Sequence, residues 1–570
     1  MKMCGNRLCQ LLTVIALCGT ATAASIEVAV VSPGVRIRQE GPIAGEKSAA
    51  IAAARGEYES FQVVVTARDG NLSKMNAEAG PILDANGMVD EKIQVHLYRE
   101  VFIPVRHSAP RATEAPGLVA DALVPFVNPY SGEPISVPHW DGSERIGPRF
   151  GAAGFEVWED QHQPLWIDVW VPADATPGPY TSTITLRAGD AVAEVPVHLE
   201  VWDFALPAGP THENHFGGFG GVAGYLGLDS TSEAFAQIEE RYAEMMAHHR
   251  LNPPLPSALH PEVGEDGTVT FPPHVDEAIV AFVNRFHVTN IDIPRAPFGD
   301  ITGENKGKAL NFYRSWYAYL ASKGWADRSY LYMLDEPNDP EAYERVRQLG
   351  AVVAEAEPKI RRLVVEQPYT QDPEWGTLDG SIDIWCPLFG FVDEGSVDRV
   401  IAQGDEVWSY TALVQTAPPY HPNYETVKNE LPPFWELDFP VLSYRIAPWL
   451  NRRYGITGLL YWSSVYWGSP ERNPWDDPGF RIRWNGEGAL FYPGNDAGIE
   501  GPIASIRLKN LRDGMEDYEY FAILDARGQS AEAEAIVGEA VATWGTWNQD
   551  PAQIEALRRR LAGMISAMEP

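Results

Sequence analysis

The stretch SYLYMLDEPND, Ser329 to Asp339, runs from a mostly apolar and aromatic segment into two adjacent carboxylates and a proline. The apolar part reads as a buried strand. Pro337 holds Glu336 in an extended or turn conformation, so no helix begins there. One begins just after. Asp339 is a capping carboxylate, Pro340 suits the first helical position, and Tyr343, Val346, Leu349 and Val353 recur on one helical face. The unit is strand, acidic turn, helix.

Outward from it the rhythm repeats. Helical faces appear at Phe235, Ile238, Tyr242, Met245 and His249, at Val275, Ile279, Phe282 and Phe286, and at Leu310, Tyr313, Tyr317 and Leu320. Short apolar runs lie between and beyond them: HFGGFG from His215, NPPLP from Asn252, NIDIP from Asn290, YLYML from Tyr330, RLVVEQ from Arg362, IDIWCP from Ile382, EVWSYT from Glu406 and GLLYWS from Gly458. About eight strand candidates alternating with helices over roughly 250 residues predict a (β/α)8 TIM barrel. A doubly wound sheet is the rival. Gly218, Gly220 and Ala223 match a loose GxGxxA pattern, but no ribose-binding acid sits in the expected context, and these glycines read as a tight loop at a barrel mouth.

Upstream, YESFQVVVTA from Tyr58, QVHLYREVFI from Gln94, PLWIDVWVP from Pro164, YTSTITLRA from Tyr180 and AEVPVHLEVWDF from Ala193 alternate in polarity and are separated by turn signals. They predict an antiparallel β-sandwich. The fold class is therefore multidomain α and β. A signal peptide is expected over residues 1–23, the sandwich over 24–208, the barrel over 209–527 and a helical C-terminal extension over 528–570. The last helix, capped by Asp550 and Pro551 with Ile554, Leu557, Leu561, Met564 and Met568 on one face, is expected to pack on the barrel.

Lys2 and Arg7, the apolar run from Leu11 to Cys18 and Ala21-Thr22-Ala23 form the three parts of a secretory signal, with cleavage after Ala23. A lipidation box fits less well, because Leu17 directly precedes Cys18. Of the four cysteines only Cys386 lies beyond the signal, so no internal disulfide is expected. No later run reaches membrane-spanning length without charges, and an exported protein, periplasmic or secreted, is expected. Lys and Arg total 44 against 78 Asp and Glu, a net charge of -34, which repels nucleic acid and anionic membrane surfaces. The 18 Trp and 23 Tyr suit either sugar platforms or a large core.

On the barrel reading Asp335 and Glu336 end the fourth strand, at the C-terminal face where such barrels keep their active sites. Both can reach the mouth only if the backbone turns between them. Glu336, with the longer reach, suits a proton donor to a departing oxygen, its proton retained by the neighbouring charge and partial burial. A two-carboxylate glycosidase holds its acids about 5 to 9 Å apart across the scissile bond, and adjacent residues rarely straddle a sugar that way. A nucleophile supplied by the substrate is favoured.

RGEYESFQVVV, LEVWDFALP, YMLDEP, WSYT, GLLYWSSVYW and above all GALFYPGNDAGIEGPIASIRLKNLRDGMEDYEYFAIL, from Gly488, resemble glycoside hydrolase family 123, which includes bacterial β-N-acetylgalactosaminidases, and the related domain of unknown function 4091. The resemblance covers nearly the whole mature chain. It implies a β-sandwich followed by a TIM barrel and an exo-acting, retaining, substrate-assisted reaction on terminal β-linked N-acetylgalactosamine. It also implies an Asp-Glu pair matched by Asp335, which holds the acetamido N–H, and Glu336, the acid and base. It implies a glycan or glycoconjugate substrate and no metal or organic cofactor. The alternatives are a conventional mechanism using Glu336 and Glu366 on another glycan, and a non-catalytic carbohydrate-binding protein.

Other candidates come from strand ends. Trp385, Tyr410 and Trp462 form an aromatic floor or belong to the core. Glu366 contacts sugar hydroxyls or serves as the second carboxylate, and Arg295 binds a hydroxyl or pairs with Glu366. Trp467, Trp475 and Trp484 line outer subsites or pack. His212, His215, His248 and His249 lack metal-ligand spacing and read as structural. Arg507, Arg512, Asp513, Glu516 and Asp517 are expected to form an ion-pair lattice on the last barrel helix.

Overall fold

The computed structural model describes residues 24–256, 258–468 and 471–567. The expected signal peptide lies outside the described residues. Residues 24–205 form two packed sheets. One has the order Ser25–Val31, Glu57–Arg68, His162–Val171, Gln94–Val105, Gly117–Pro125, antiparallel throughout. The other runs Ala49–Arg55, Ala191–Ala205, Gly178–Ala188, Leu72–Ala79, Phe155–Val157. Its first pair is parallel, so the antiparallel expectation fails at that edge. Val63, Val65, Leu165, Ile167, Ile184, Leu186, Val195 and Val197 fill the space between the sheets.

The two sheets differ in how their sequences read. Ala191–Ala205 alternates buried and exposed, as a strand with one wet face must. Glu57–Arg68 is buried nearly throughout, because the outer face of its sheet carries the second domain. Contact there is made by the helix Ile506–Ala526, whose burial continues almost all round. Lys509 Nζ lies 2.6 Å and Arg512 Nη1 3.1 Å from Asp168 Oδ2, and Arg507 is 3.0 Å from Asp121. Asp168 also accepts from the Ser60 hydroxyl at 2.6 Å and the Trp166 indole at 2.7 Å. On its other side the helix meets Leu442–Arg453, where Arg445 binds Asp517 at 2.7 Å. Gly514 permits that approach: a Cβ there would sit 2.4 Å from the Arg445 carbonyl oxygen. The lattice expected along one helix is thus a clamp between domains. The final helix, Pro551–Ser566, joins it rather than resting on the barrel alone, with Arg558 2.8 Å from both Glu57 and Glu59.

The second domain is a parallel half-barrel. Its seven strands have the order Glu213–His215, Gly458–Tyr461, Glu406–Thr411, Ile384–Trp385, Arg361–Val365, Ser329–Asp335, Ile291–Asp292. Helices including Glu233–His248, Pro273–Arg285, Lys306–Ser322 and Pro340–Ala356 pack their predicted apolar faces outside. Asp339 caps the last of these, accepting from Ala342 N at 2.7 Å. Eight strands were expected, and NPPLP is not one of them. Prolines lack the N–H that a ladder requires. Asparagine side chains bridge the gap instead. Asn252 N donates to Asn214 Oδ1 at 2.7 Å, Asn214 N to Asn290 Oδ1 at 3.0 Å, and Thr289 N to Asn252 Oδ1 at 2.8 Å.

Candidate active site

The strand Ser329–Asp335 carries the site by breaking its own alternation. Tyr330 and Tyr332 face the interior with Leu363, Val365, Cys386, Trp408 and Tyr410, while Leu331 and Met333 face the helices. The pairing register then slips between Tyr332 and Leu334. Leu334 also packs outward, and Asp335 comes level with inward-facing Val365. A one-residue bulge of this kind reverses the face of all that follows. Strict alternation would have turned Asp335 away from the mouth.

Glu336 follows at φ +40°, in the left-handed region that a side chain with a Cβ enters at a cost of about 1–3 kcal/mol. The backbone turn required between the two acids is this residue. Both side chains are exposed at the mouth, so the partial burial expected of the proton donor is absent in the free chain. Each acid is held by a tyrosine from the interior. Tyr332 Oη donates to Asp335 Oδ1 at 2.8 Å, and Tyr410 Oη donates to Glu336 Oε1 at 2.6 Å. Burial, reinforced by the adjoining carboxylates, raises both phenols far above their ordinary values, so both stay protonated donors. Asp335 Oδ2 and Glu336 Oε2 receive no such bond from these tyrosines.

Glu366 stands just past the end of Arg361–Val365 and is 4% exposed. Tyr343 Oη donates to its Oε1 at 2.7 Å, Gln371 Nε2 lies 3.2 Å from the same oxygen, and Gln367 donates as well. Burial pushes its carboxyl up to about 8, with a small contribution from nearby Glu336. The proposed Arg295–Glu366 ion pair does not form: Arg295 is exposed and its charge acts on Asp292.

Trp385 is a correction. Its side chain belongs to the outer core, is 3% exposed and donates from Nε1 to Asp405 Oδ2 at 2.9 Å, because Ile384 and Cys386 take the inward positions. Trp462 directly follows the strand Gly458–Tyr461 and is half-buried, packed on the same outer cluster as Trp385, with Nε1 2.5 Å from Glu487 Oε1. Trp467 and Trp475 are buried and bound to the Phe491 and Pro493 carbonyls, so they line no outer subsite. Trp484 lies in the short hairpin Gly479–Phe480 with Trp484–Asn485.

Three neighbours of the acids escaped the sequence reading. Asp292 Oδ1 accepts from Tyr332 N at 3.2 Å, and burial pushes its carboxyl up to about 7. His215, read as merely structural, stands edge-on to Tyr332 at 5.5 Å and meets the Tyr330 hydroxyl at 2.8 Å through Nδ1, and burial lowers it to about 4. Tyr332 itself lay in the quoted stretch, but only as part of the strand. Asp292 had a signal, an acid in the short apolar run NIDIP. A groove of about 870 Å³ beside Asp335 is lined by Arg295, Asp300, Glu341 and Arg345. A second cavity, about 480 Å³, opens where the missing strand would run, between His215, Asp292, Leu255 and Trp316. Among the described residues no cluster of three His, Cys, Asp or Glu side chains has the arrangement of a metal site.

The glycoside hydrolase 123 catalytic domain matches residues 301–524, and the glycoside hydrolase 123 N-terminal domain matches residues 35–188. In structure the chain is similar to a family 123 glycoside hydrolase from Clostridium perfringens, studied for glycolipid glycan hydrolysis. Identity is 13%, the TM-score is 0.66, and the match covers 95% of this chain and 98% of that one. A Parabacteroides merdae β-glucuronidase matches 87% of this chain and 52% of its own at 11% identity, with a TM-score of 0.28, too loosely to inform the site. No curated protein matches. With both domain models matched in order and the fold shared over nearly the whole length, this chain belongs to glycoside hydrolase family 123.

Proposed function

We propose that the protein is an exported, exo-acting, retaining glycosidase that removes terminal β-linked N-acetylgalactosamine with help from the sugar's own 2-acetamido group. The observation that carries this reading is the placement of two consecutive acids at one mouth by a bulge and a left-handed residue. Asp335 Oδ2 would accept the acetamido N–H and orient its carbonyl oxygen toward the anomeric carbon. Glu336 would protonate the departing oxygen as the oxazoline-type ring closes. It would then take a proton from the water that reopens the ring. The tyrosines fix one oxygen of each acid, so neither must be ordered when substrate arrives. Trp462 would supply the face on which the sugar lies.

The conventional reading needs Glu366 as an ionised nucleophile. Its burial favours the neutral acid at pH 7, and Tyr343 and Gln371 already occupy it. The test is turnover of an aryl β-N-acetylgalactosaminide against the matching aryl β-galactoside, with inhibition by a thiazoline analogue of the cyclic intermediate. Asp335→Ala should abolish turnover, and Glu366→Gln should retain most of it. Equal turnover of the two sugars, or the reverse ranking of the two variants, would rule the proposal out.

A further inference from the structure

Glu436 is completely buried, and neither of its carboxyl oxygens receives a hydrogen bond from a donor among the described residues. The Leu437 N–H donates to the Asn485 carbonyl at 2.8 Å, which brings Glu436 beside the segment of Glu487, a second carboxyl that is 2% exposed and whose charge acts on it. Two buried carboxylates in contact repel, whereas one proton held between them converts the contact into a hydrogen bond.

Glu487 is already committed elsewhere. Its Oε1 accepts from Trp462 Nε1 at 2.5 Å and its Oε2 from Leu413 N at 3.0 Å. Trp462 follows the strand Gly458–Tyr461, and Leu413 follows its neighbour Glu406–Thr411. One carboxylate therefore ties together two loops of the mouth. Leu413 is held there at φ +55°. The Trp462 indole lies against Gly488, where a Cβ would come within 2.3 Å of the ring, and Tyr466 and Phe480 flank it at 5.0 and 5.9 Å. These contacts limit how far the ring can shift, and the Glu487 hydrogen bond selects its orientation.

We propose that Glu487 is a positioning residue for the reaction, fixing the Trp462 platform through a carboxylate that Glu436 keeps in place with a shared proton. This rests on the reading of Trp462 as the sugar's platform. The groups facing the pair are Asp438, Tyr444, Tyr461 and Arg507, and the Arg507 charge is largely engaged by Asp121. Burial and the adjoining carboxylate hold Glu436 neutral well above the usual carboxylate range. Burial pushes Glu487 up to about 7, opposed by its bonds from Trp462 and Leu413 and by Arg507. Above that pH the pair holds one proton and the mount is intact. As the pH rises further the proton leaves, the two anions separate and the indole loosens.

The experiment is a pH series on wild type, Glu436→Gln and Glu487→Gln. It follows KM and kcat alongside fluorine NMR of the free protein labelled with 5-fluorotryptophan, with Trp462→Phe assigning the resonance. In Glu436→Gln the new side-chain amide donates a hydrogen to Glu487 at every pH. The expected result is an alkaline rise in KM of about tenfold and a moving Trp462 resonance in wild type, both absent in Glu436→Gln. Glu487→Gln should raise KM at all pH values with a smaller change in kcat. A resonance that stays fixed with pH in wild type, or moves equally in Glu436→Gln, overturns the shared-proton mount. If the resonance moves only in wild type while Trp462→Phe keeps a wild-type KM, the platform role falls, and with it the catalytic relevance of Glu487. The assignment of Asp335 and Glu336 is untouched by that outcome.

Discussion

Replacing Tyr410 by Phe removes one oxygen from the site and nothing else. The ring is 5% exposed and packs in the interior with Trp408 and Leu460, so its apolar contacts survive. What is lost is a 2.6 Å hydrogen bond to Glu336 Oε1. A hydrogen bond contributes about 0.5–1.5 kcal/mol, and about 1.5–3 kcal/mol where one partner is charged, as Glu336 is once it has given up its proton and acts as the base. Glu336 is otherwise an exposed side chain on a left-handed turn, so without that bond it samples several rotamers and must be ordered during catalysis. If the bond's full worth appears in transition-state binding, kcat/KM should fall about ten- to a hundredfold. Global stability should change by only about 1 kcal/mol, since the hole left is one hydroxyl. The assay is steady-state turnover of an aryl β-N-acetylgalactosaminide together with a thermal melt. Tyr332→Phe is the companion, because Tyr332 holds Asp335 in the same way. Values of kcat/KM within twofold of wild type in both variants would refute the argument that the interior tyrosines organise the acids.

The other expectations follow from the buried charges. Because burial raises Glu366 to about 8 from an unfolded value near 4.3, folding takes up a proton between those pH values. The contribution of Glu366 is most favourable below that window and declines as pH rises through it, so Glu366→Gln should raise the melting temperature at pH 8 more than at pH 4.5, measured by differential scanning calorimetry. Asp168→Ala leaves Lys509 and Arg512 buried without their shared carboxylate. Breaking buried pairs in this way costs about 3–5 kcal/mol, and limited proteolysis near the domain junction should show the loss.

How much of this was legible depends on how far apart the deciding contacts lie. The cap at Asp339, the helical stripes and the alternating sandwich strands are local patterns, and a linear sequence displays them. The adjacent acids were visible for the same reason. The bulge that turns Asp335 inward was not, because Leu331, Met333 and Leu334 are all apolar and both faces of a parallel strand are buried. Trp385 and Tyr410 illustrate the same blindness. Both end strands and both are aromatic, yet one faces the helices and the other the mouth. NPPLP carried its own warning in its prolines, but the asparagines that close the gap are 38 and 76 residues apart.

The chain alone established a sandwich, a run of strand–helix units and the identity of two acids at a strand end, because those features are written in the period of apolar residues and in capping chemistry. Which face each strand-end residue takes, the neutral state of Glu366 and the conversion of the RLKNLRDGMEDYEY helix into a clamp between domains were decided by packing. Burial and charge pairing across hundreds of residues, such as Lys509 with Asp168, exist only once the chain is folded.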